Sequence, residues 1–363
     1  MFERSLLASL FAAILGSVAA FGGCGSDDDT TPHGAAAQGG AAGHGGEGGS
    51  GAIDEPGGAG GEPYTGGAPS WSWTSASDLP EPRQSAACVA LPDSIYVFGG
   101  MTLTDGGGAA IDSVVRYDPV ADAWSERAPL PAPNCCFAAA RLGDRVYVAG
   151  GYEQDTVPTA TFLSYDPVGD EWAVLPDMPT PRSLASAVVW GDKLAVIGGR
   201  GTDGDVVGVI ELYDPATHTW ETSPIEESIA REAAAVVNGS FGLVVAGGYP
   251  SMSAYGTNEV EVYADGAWSD GPAMLLARGQ LAWGVLAGRV VLAGGWGPSG
   301  HTDFVEAWLP GSPAWEELPP LSVPRAGACA AKLDDALYVI GGGAYQGGGG
   351  WQSMPTVDVL HAD

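Results

Sequence analysis

The side chains best suited to metal binding or nucleophilic chemistry are scarce and scattered: five His and five Cys in 363 residues. His33 and His44 lie in a Gly-rich tract with no Cys/His cluster of ligand spacing nearby, and read as solvated tether residues. His218 falls in a tight turn and His361 near the end of the sequence, which leaves His301 alone in a longer loop. Neither a His-rich metal centre nor a Ser-His-Asp set has enough members, so no metal and no cofactor is expected.

Arginine offers more pattern. Arg83, Arg182, Arg231, Arg278 and Arg325 recur just after a Pro or Ala, with Asn134 at the sixth equivalent position. Brought onto one ring, free guanidiniums would hold a small anion such as a carboxylate through forked hydrogen bonds. The competing use is structural, with the heads bonded to carbonyls between units. Glu232, beside Arg231, is the one carboxylate placed to act as an acid or base, although a Glu is ordinarily solvated. Tyr152, Tyr249 and Trp296 directly follow a Gly pair, and Tyr255, Tyr345 and Trp351 lie in the same class of loop. Flat aromatics there would stack on sugars or other amphipathic ligands, or else roof the neighbouring strands.

The elements that must position these residues repeat. Gly pairs at 99–100, 150–151, 198–199, 247–248, 294–295 and 341–342 recur at intervals of 51, 48, 49, 47 and 47. Trp124, Trp172, Trp220, Trp268 and Trp315 keep step with them, each after an aromatic at Tyr117, Tyr165, Tyr213, Tyr263 and Trp308. Periods of this size mean an array of supersecondary units. Within a unit the hydrophobic alternation predicts four short strands; in the second these are Phe137 to Leu142, Arg145 to Ala149, Thr161 to Tyr165 and Glu171 to Val174. Gly143-Asp144, Gly191-Asp192, Asn238-Gly239 and Ala287-Gly288 supply tight first turns, and Asp118-Pro119, Asp166-Pro167 and Asp214-Pro215 the second.

The doublet of glycines, the aromatic and the Trp at this period resemble the kelch repeat over residues 71–363. That resemblance implies an all-β, six-bladed β-propeller. The last unit ends without a Trp-bearing fourth strand, and Trp71-Ser72-Trp73-Thr74 carries the missing pattern. Ring closure is therefore expected through residues 71–75 pairing with 357–360. Strand alternation sends the tight turns to one face, B, and the variable loops at 101–113, 152–160, 200–209, 249–258, 296–304 and 343–356 to the other, T. Function gathers on loops held by a rigid frame, so T is the candidate binding face. Within the kelch class, copper oxidases match poorly for want of His; periplasmic sialic-acid mutarotases match better, and in such an enzyme Glu232 would be the acid/base.

Cys88, Cys135, Cys136 and Cys329 fall in first strands, where six strands converge and small side chains are needed. Free buried thiols are expected, because Cys88 and Cys329 stand five and four residues after their Arg and so face opposite ways.

Ahead of the repeats, an uncharged run from Leu6 to Phe21 and small residues before Cys24 read as a signal peptide over 1–23. The junction resembles a bacterial lipoprotein site, which implies lipidation of Cys24 and, with Gly25 next, an outer-membrane address. Residues 24–70 form the tether: 16 of the 46 residues from 25 to 70 are Gly, too few apolar to fold. Residues 1–70 hold 8 acids and 1 base, which leaves 36 acids, 13 bases and a charge of −23 on the repeats. No basic stripe exists to bind nucleic acid. The expected function is an envelope-tethered module that binds a protein or a small anionic or carbohydrate ligand on face T; the alternatives are a carbohydrate-active enzyme and a structural envelope protein.

Overall fold

The computed structural model describes residues 69–104, 107–153, 157–225, 230–250, 256–345 and 350–363. The expected leader, Cys24 and tether lie outside them, as does Tyr255. Six four-stranded antiparallel sheets form the blades of a propeller. Blade 1 is Ala87–Leu91, Ser94–Phe98, Val114–Asp118 and Ala123–Arg127; blade 2 is Ala138–Leu142, Arg145–Ala149, Phe162–Asp166 and Glu171–Val174. Blade 3 is Ser186–Trp190, Lys193–Ile197, Glu211–Asp214 and Thr219–Thr222; blade 4 is Ala235–Gly239, Gly242–Ala246, Val260–Ala264 and Ala267–Asp270. Blade 5 is Ala282–Leu286, Arg289–Ala293, Val305–Trp308 and Glu316–Leu318. Blade 6 combines Cys329–Leu333, Ala336–Ile340 and Val357–Ala362 with Trp71–Ala76, which pairs antiparallel to the last strand with Trp73 opposite Leu360. The predicted closure is correct, and the inner strands of neighbouring blades touch around the axis.

Each gap between blades is filled by one apolar layer drawn from both neighbours. Phe98, Val114, Val146 and Tyr165 fill the gap between blades 1 and 2, and the equivalent sets recur around the ring. The fourth-strand indoles tie each blade to the one before. Trp172 Nε1 donates to Ala128 O at 3.0 Å, Trp220 to Pro176 O at 2.9 Å, and Trp73 to Pro319 O at 2.8 Å, so Trp73 takes the place of the missing sixth indole. On face B, Asp118 Oδ1 accepts from Val120 and Ala121 N, and Asp166 Oδ1 from Val168 and Gly169 N, the local bonding that made Asp-Pro a turn signal.

Three sequence expectations are corrected. Asn238-Gly239 is not a turn: Gly239 pairs with Gly242, and the reversal is at Ser240 and Phe241. The loops at 101–113, 296–304 and 343–356 contain small hairpins, Met101–Thr104 with Gly107–Ala110, Trp296–Gly297 with Gly300–His301, and Gly343–Tyr345 with Trp351–Ser353. Cys88 and Cys329 are disulfide-bonded, with Cα atoms 5.5 Å apart, joining blade 1 to blade 6. Opposite parity joins these two residues rather than separating them. Residues that meet across a gap lie on opposite faces of their own sheets, so opposite parity is what a bridge around a ring requires.

Candidate functional site on the loop-rich face

Three concentric layers build face T. The outermost is the arginine ring, and it is not open to ligand. Arg83, Arg182, Arg231, Arg278 and Arg325 are between 0% and 2% exposed. Each head turns back into its own blade and bonds the carbonyl of the first glycine of the pair, always 16 residues on: Arg182 to Gly198 O at 3.0 Å, Arg278 to Gly294 O at 2.8 Å, Arg325 to Gly341 O at 3.2 Å. Asn134 does the same to Gly150 O at 2.9 Å. A carboxylate in the third strand completes four of the sites: Glu211 with Arg182 at 2.9 Å, Glu261 with Arg231 at 3.0 Å, Glu306 with Arg278, and Asp358 with Arg325. Blade 2 carries Leu163 at that position and the neutral Asn134 in place of Arg; in blade 1, where Val115 stands there, Glu81 reaches Arg83 instead at 3.4 Å. Burial lowers the Arg83, Arg231, Arg278 and Arg325 pKa values against the opposing pull of the carboxylates. The expected anion-binding ring is a structural one, made within blades rather than between them.

Backbone then links the blades. The second glycine of each pair donates to the carbonyl of the next blade's Arg or Asn134 at 2.8–3.0 Å, as Gly248 N does to Arg278 O. A Cβ on Gly247 (φ +64°) would lie 2.5 Å from that same Arg278 oxygen, which is why the pair must be glycine. Nearer the axis, Ser85, Cys136, Leu184, Ala233, Gln280 and Gly327 all have φ between 51° and 64°. Their amides form a closed hoop, each donating to the equivalent carbonyl of the preceding blade at 2.7–3.0 Å. Five non-glycine residues in the left-handed region cost about 1 kcal/mol or more apiece, which the hoop's bonds must offset. The hoop frames a cavity of about 130 Å³ on the T side, and a second of about 130 Å³ follows the axis between the first strands, past Cys88, Val188, Trp283 and Lys332.

Between ring and hoop, the residue after five of the six glycine pairs packs against the next blade, the sixth being Gly343, which has no side chain. Arg200 grips Glu232 through both carboxylate oxygens and donates to Gly204 O at 2.9 Å. Tyr249 covers Gly279, where any Cβ would collide with its ring, and its hydroxyl donates to Trp296 O at 3.1 Å. Met101, after the blade 1 pair, packs with Cys135 and Tyr152 of blade 2. Glu232, Tyr152 and Tyr249 are 5%, 3% and 8% exposed, so the sequence placed them on the correct face but they lie in its floor. Burial raises the Glu232 carboxyl pKa and the Arg200 ion pair opposes that shift; burial also raises both phenols.

What stands outward is the aromatic cluster of blades 5 and 6. Trp296 and Trp351 rings are 5.1 Å apart, His301 lies 6.1 and 5.9 Å from them, and Tyr345, 53% exposed, is 6.2 Å from Trp351. Two hairpins carry these four rings, and the hairpin 343–353 leans on the one at 101–110, where Leu103 N donates to Ser353 Oγ at 2.9 Å. Sequence reading missed Arg200, which lacks a periodic counterpart, and the acids that complete the ring. The latter had a signal: Glu211, Glu261 and Glu306 each sit two residues before the third-strand aromatic.

A closed six-bladed ring with these glycine, Arg and Trp positions defines a propeller of the kelch class. The KLHDC2/KLHL20/DRC7 Kelch-repeats domain model matches residues 88–269, half of the chain, and the protein belongs to the kelch-repeat family. Kelch-like protein 35 of Mus musculus is 38% identical over 80 residues, 22% of this chain and 13% of that protein. Beta-scruin of Limulus polyphemus is 35% identical over 79 residues, 22% of this chain and 8% of that protein. The matched segments thus span a small part of these longer relatives. The solved structure of YjhT superposes with a TM-score of 0.66 at 17% identity, over 77% of this chain and 95% of that one, a likeness of fold.

Proposed function

We propose that this protein is an envelope-tethered kelch propeller that binds a protein or an amphipathic ligand, a carbohydrate among them, on face T. The observation that carries the reading is the cluster of Trp296, His301, Tyr345 and Trp351. These rings are carried on hairpins outside the blade sheets, Tyr345 exposed and the other three half-buried, whereas the ring arginines and fourth-strand indoles are committed to holding the frame. A buried ring of arginines offers nothing to a small anion, so that class of ligand loses its basis. The tether belongs to the same proposal: lipid on Cys24 and the Gly-rich stretch to residue 70 would hold the ring clear of an outer membrane. Calorimetry against a panel of sugars, sialic acids and peptides, repeated with Trp351→Ala, tests the binding face. Loss of membrane fractionation in Cys24→Ala tests the anchor.

One observation favours a second reading, a carbohydrate-active enzyme. Glu232 is a buried carboxyl whose pKa is raised, on the ligand-facing side and flanked by Arg200 and Tyr249. Anomerisation followed by NMR separates the two, since turnover lost in Glu232→Gln would favour the enzyme.

A further inference from the structure

Cys135 and Cys136 are adjacent in sequence and in space. Their Sγ atoms are 3.4 Å apart. Cys135 is fully buried against Met101 and Tyr152, while Cys136 is a hoop residue, half-buried, on the wall of the cavity at the T-side mouth. The backbone fixes both: Cys135 exchanges two hydrogen bonds with Tyr152, and Cys136 donates to Ser85 O and accepts from Leu184 N. Neither thiol is in a disulfide, in contrast to Cys88 and Cys329.

Two soft sulfurs held in contact select a soft partner. Their spacing also selects its geometry. With bonds of about 2.3 Å to sulfur, a linear two-coordinate ion needs sulfurs roughly 4.6 Å apart, and a centre with near-right-angled bonds roughly 3.3 Å. Among the described residues no group of three or more His, Cys, Asp or Glu could hold a metal, so a tetrahedral site closed by protein ligands is not formed here. We propose that Cys135 and Cys136 form a dithiol clamp for a pyramidal, thiophilic centre of the trivalent arsenical class, entered from the T-side mouth.

The chemistry balances without an oxidant. Arsenous acid, As(OH)3, exchanges two hydroxyls for two thiols: two As–O and two S–H bonds break, two As–S bonds form, and two waters leave with the thiol protons. The product, (RS)2As–OH, is neutral, so closing the ring at Cys135 beside Met101 and Tyr152 buries no charge. Cys136, the more accessible thiol, reacts first, and Cys135 closes the ring.

The test uses the native full chain and arsenite, read by arsenic bound per chain and by the number of free thiols lost. The expected result is one arsenic and two thiols per chain. Cys135→Ala and Cys136→Ala should each weaken uptake by about 100-fold or more, because the second bond loses its intramolecular advantage. Both substitutions should fold, since Ala326 and Ala233 occupy the equivalent positions in blades 6 and 4; unchanged melting checks this. Equal uptake in the double Ala variant would overturn the proposal, as would no uptake by native protein whose Cys135 and Cys136 alkylate on denaturation. So would a native Cys135-Cys136 peptide two hydrogens light, the mark of a vicinal disulfide already formed.

Discussion

Faces T and B of the same ring are built from the same repeat and have different fates. On B the second turns, Asp118-Pro119, Asp166-Pro167 and Asp214-Pro215, are near copies, and the first Asp of each accepts from the main-chain N–H groups of its own turn. On T the inner layers also repeat, but the segments beyond the glycine pairs differ: an ion pair from blade 3 to blade 4, a buried phenol in blade 4, two indoles tilted against each other between blades 5 and 6. Repetition marks what the ring needs for closure. Departure from it, where the frame is already satisfied, marks what the ring can offer to a partner.

The frame carries the largest expected effects. Deleting residues 71–76 removes the strand that pairs with Val357–Ala362, together with Trp71 and Trp73, and should cost several kcal/mol in chemical denaturation. Melting within a few degrees of wild type would mean that closure contributes little. Next in size, Arg278→Ala leaves the fully buried Glu306 without its cation, keeping the Leu275 N–H at 2.7 Å, and should cost about 3–5 kcal/mol. The B-side control Arg145→Ala, whose partner Asp166 is partly exposed, should stay within about 0.5 kcal/mol. Similar losses in the two variants would erase the distinction between ring arginines and ordinary surface arginines.

Acid titration sharpens the same contrast. Asp118, Asp166 and Asp214 on B are held below the ordinary 3.8, chiefly by backbone N–H donors. Their folded states bind a proton less readily than the unfolded chain, so their stabilisation is full above 3.8 and is lost as pH falls through the lowered values. Glu232 on T is held above 4.5 by burial, so its contribution is full below that value and declines as pH rises through the raised one. Melting curves across pH should therefore show Asp166→Asn flattening the acid limb and Glu232→Gln the limb above it; the reverse assignment would contradict both environments. The smallest effect belongs to Trp351→Ala, which should change stability little, because one side of the cluster faces solvent, while abolishing ligand uptake on T.

The sequence by itself determined the number of blades, the strand order and the closing strand. Those features rest on a repeat of about 48 residues and on period-2 alternation, which are local patterns readable along one chain. It also determined which residues share face T, because alternation of antiparallel strands fixes which end each loop occupies. Side-chain direction and neighbours across a gap were decided only in the tertiary structure. Whether Arg182 points to solvent or to Gly198 depends on Glu211 and Val209 arriving from another strand. The Cys88–Cys329 bridge depends on two strands 241 residues apart being splayed about an axis, where facing residues have opposite parity. The hoop through Ser85, Cys136, Leu184, Ala233, Gln280 and Gly327 has no residue type in common, since it is made of main-chain groups that every residue carries. A pattern of side chains cannot announce a bond formed by the backbone, and only the closed ring brings those six amides into register.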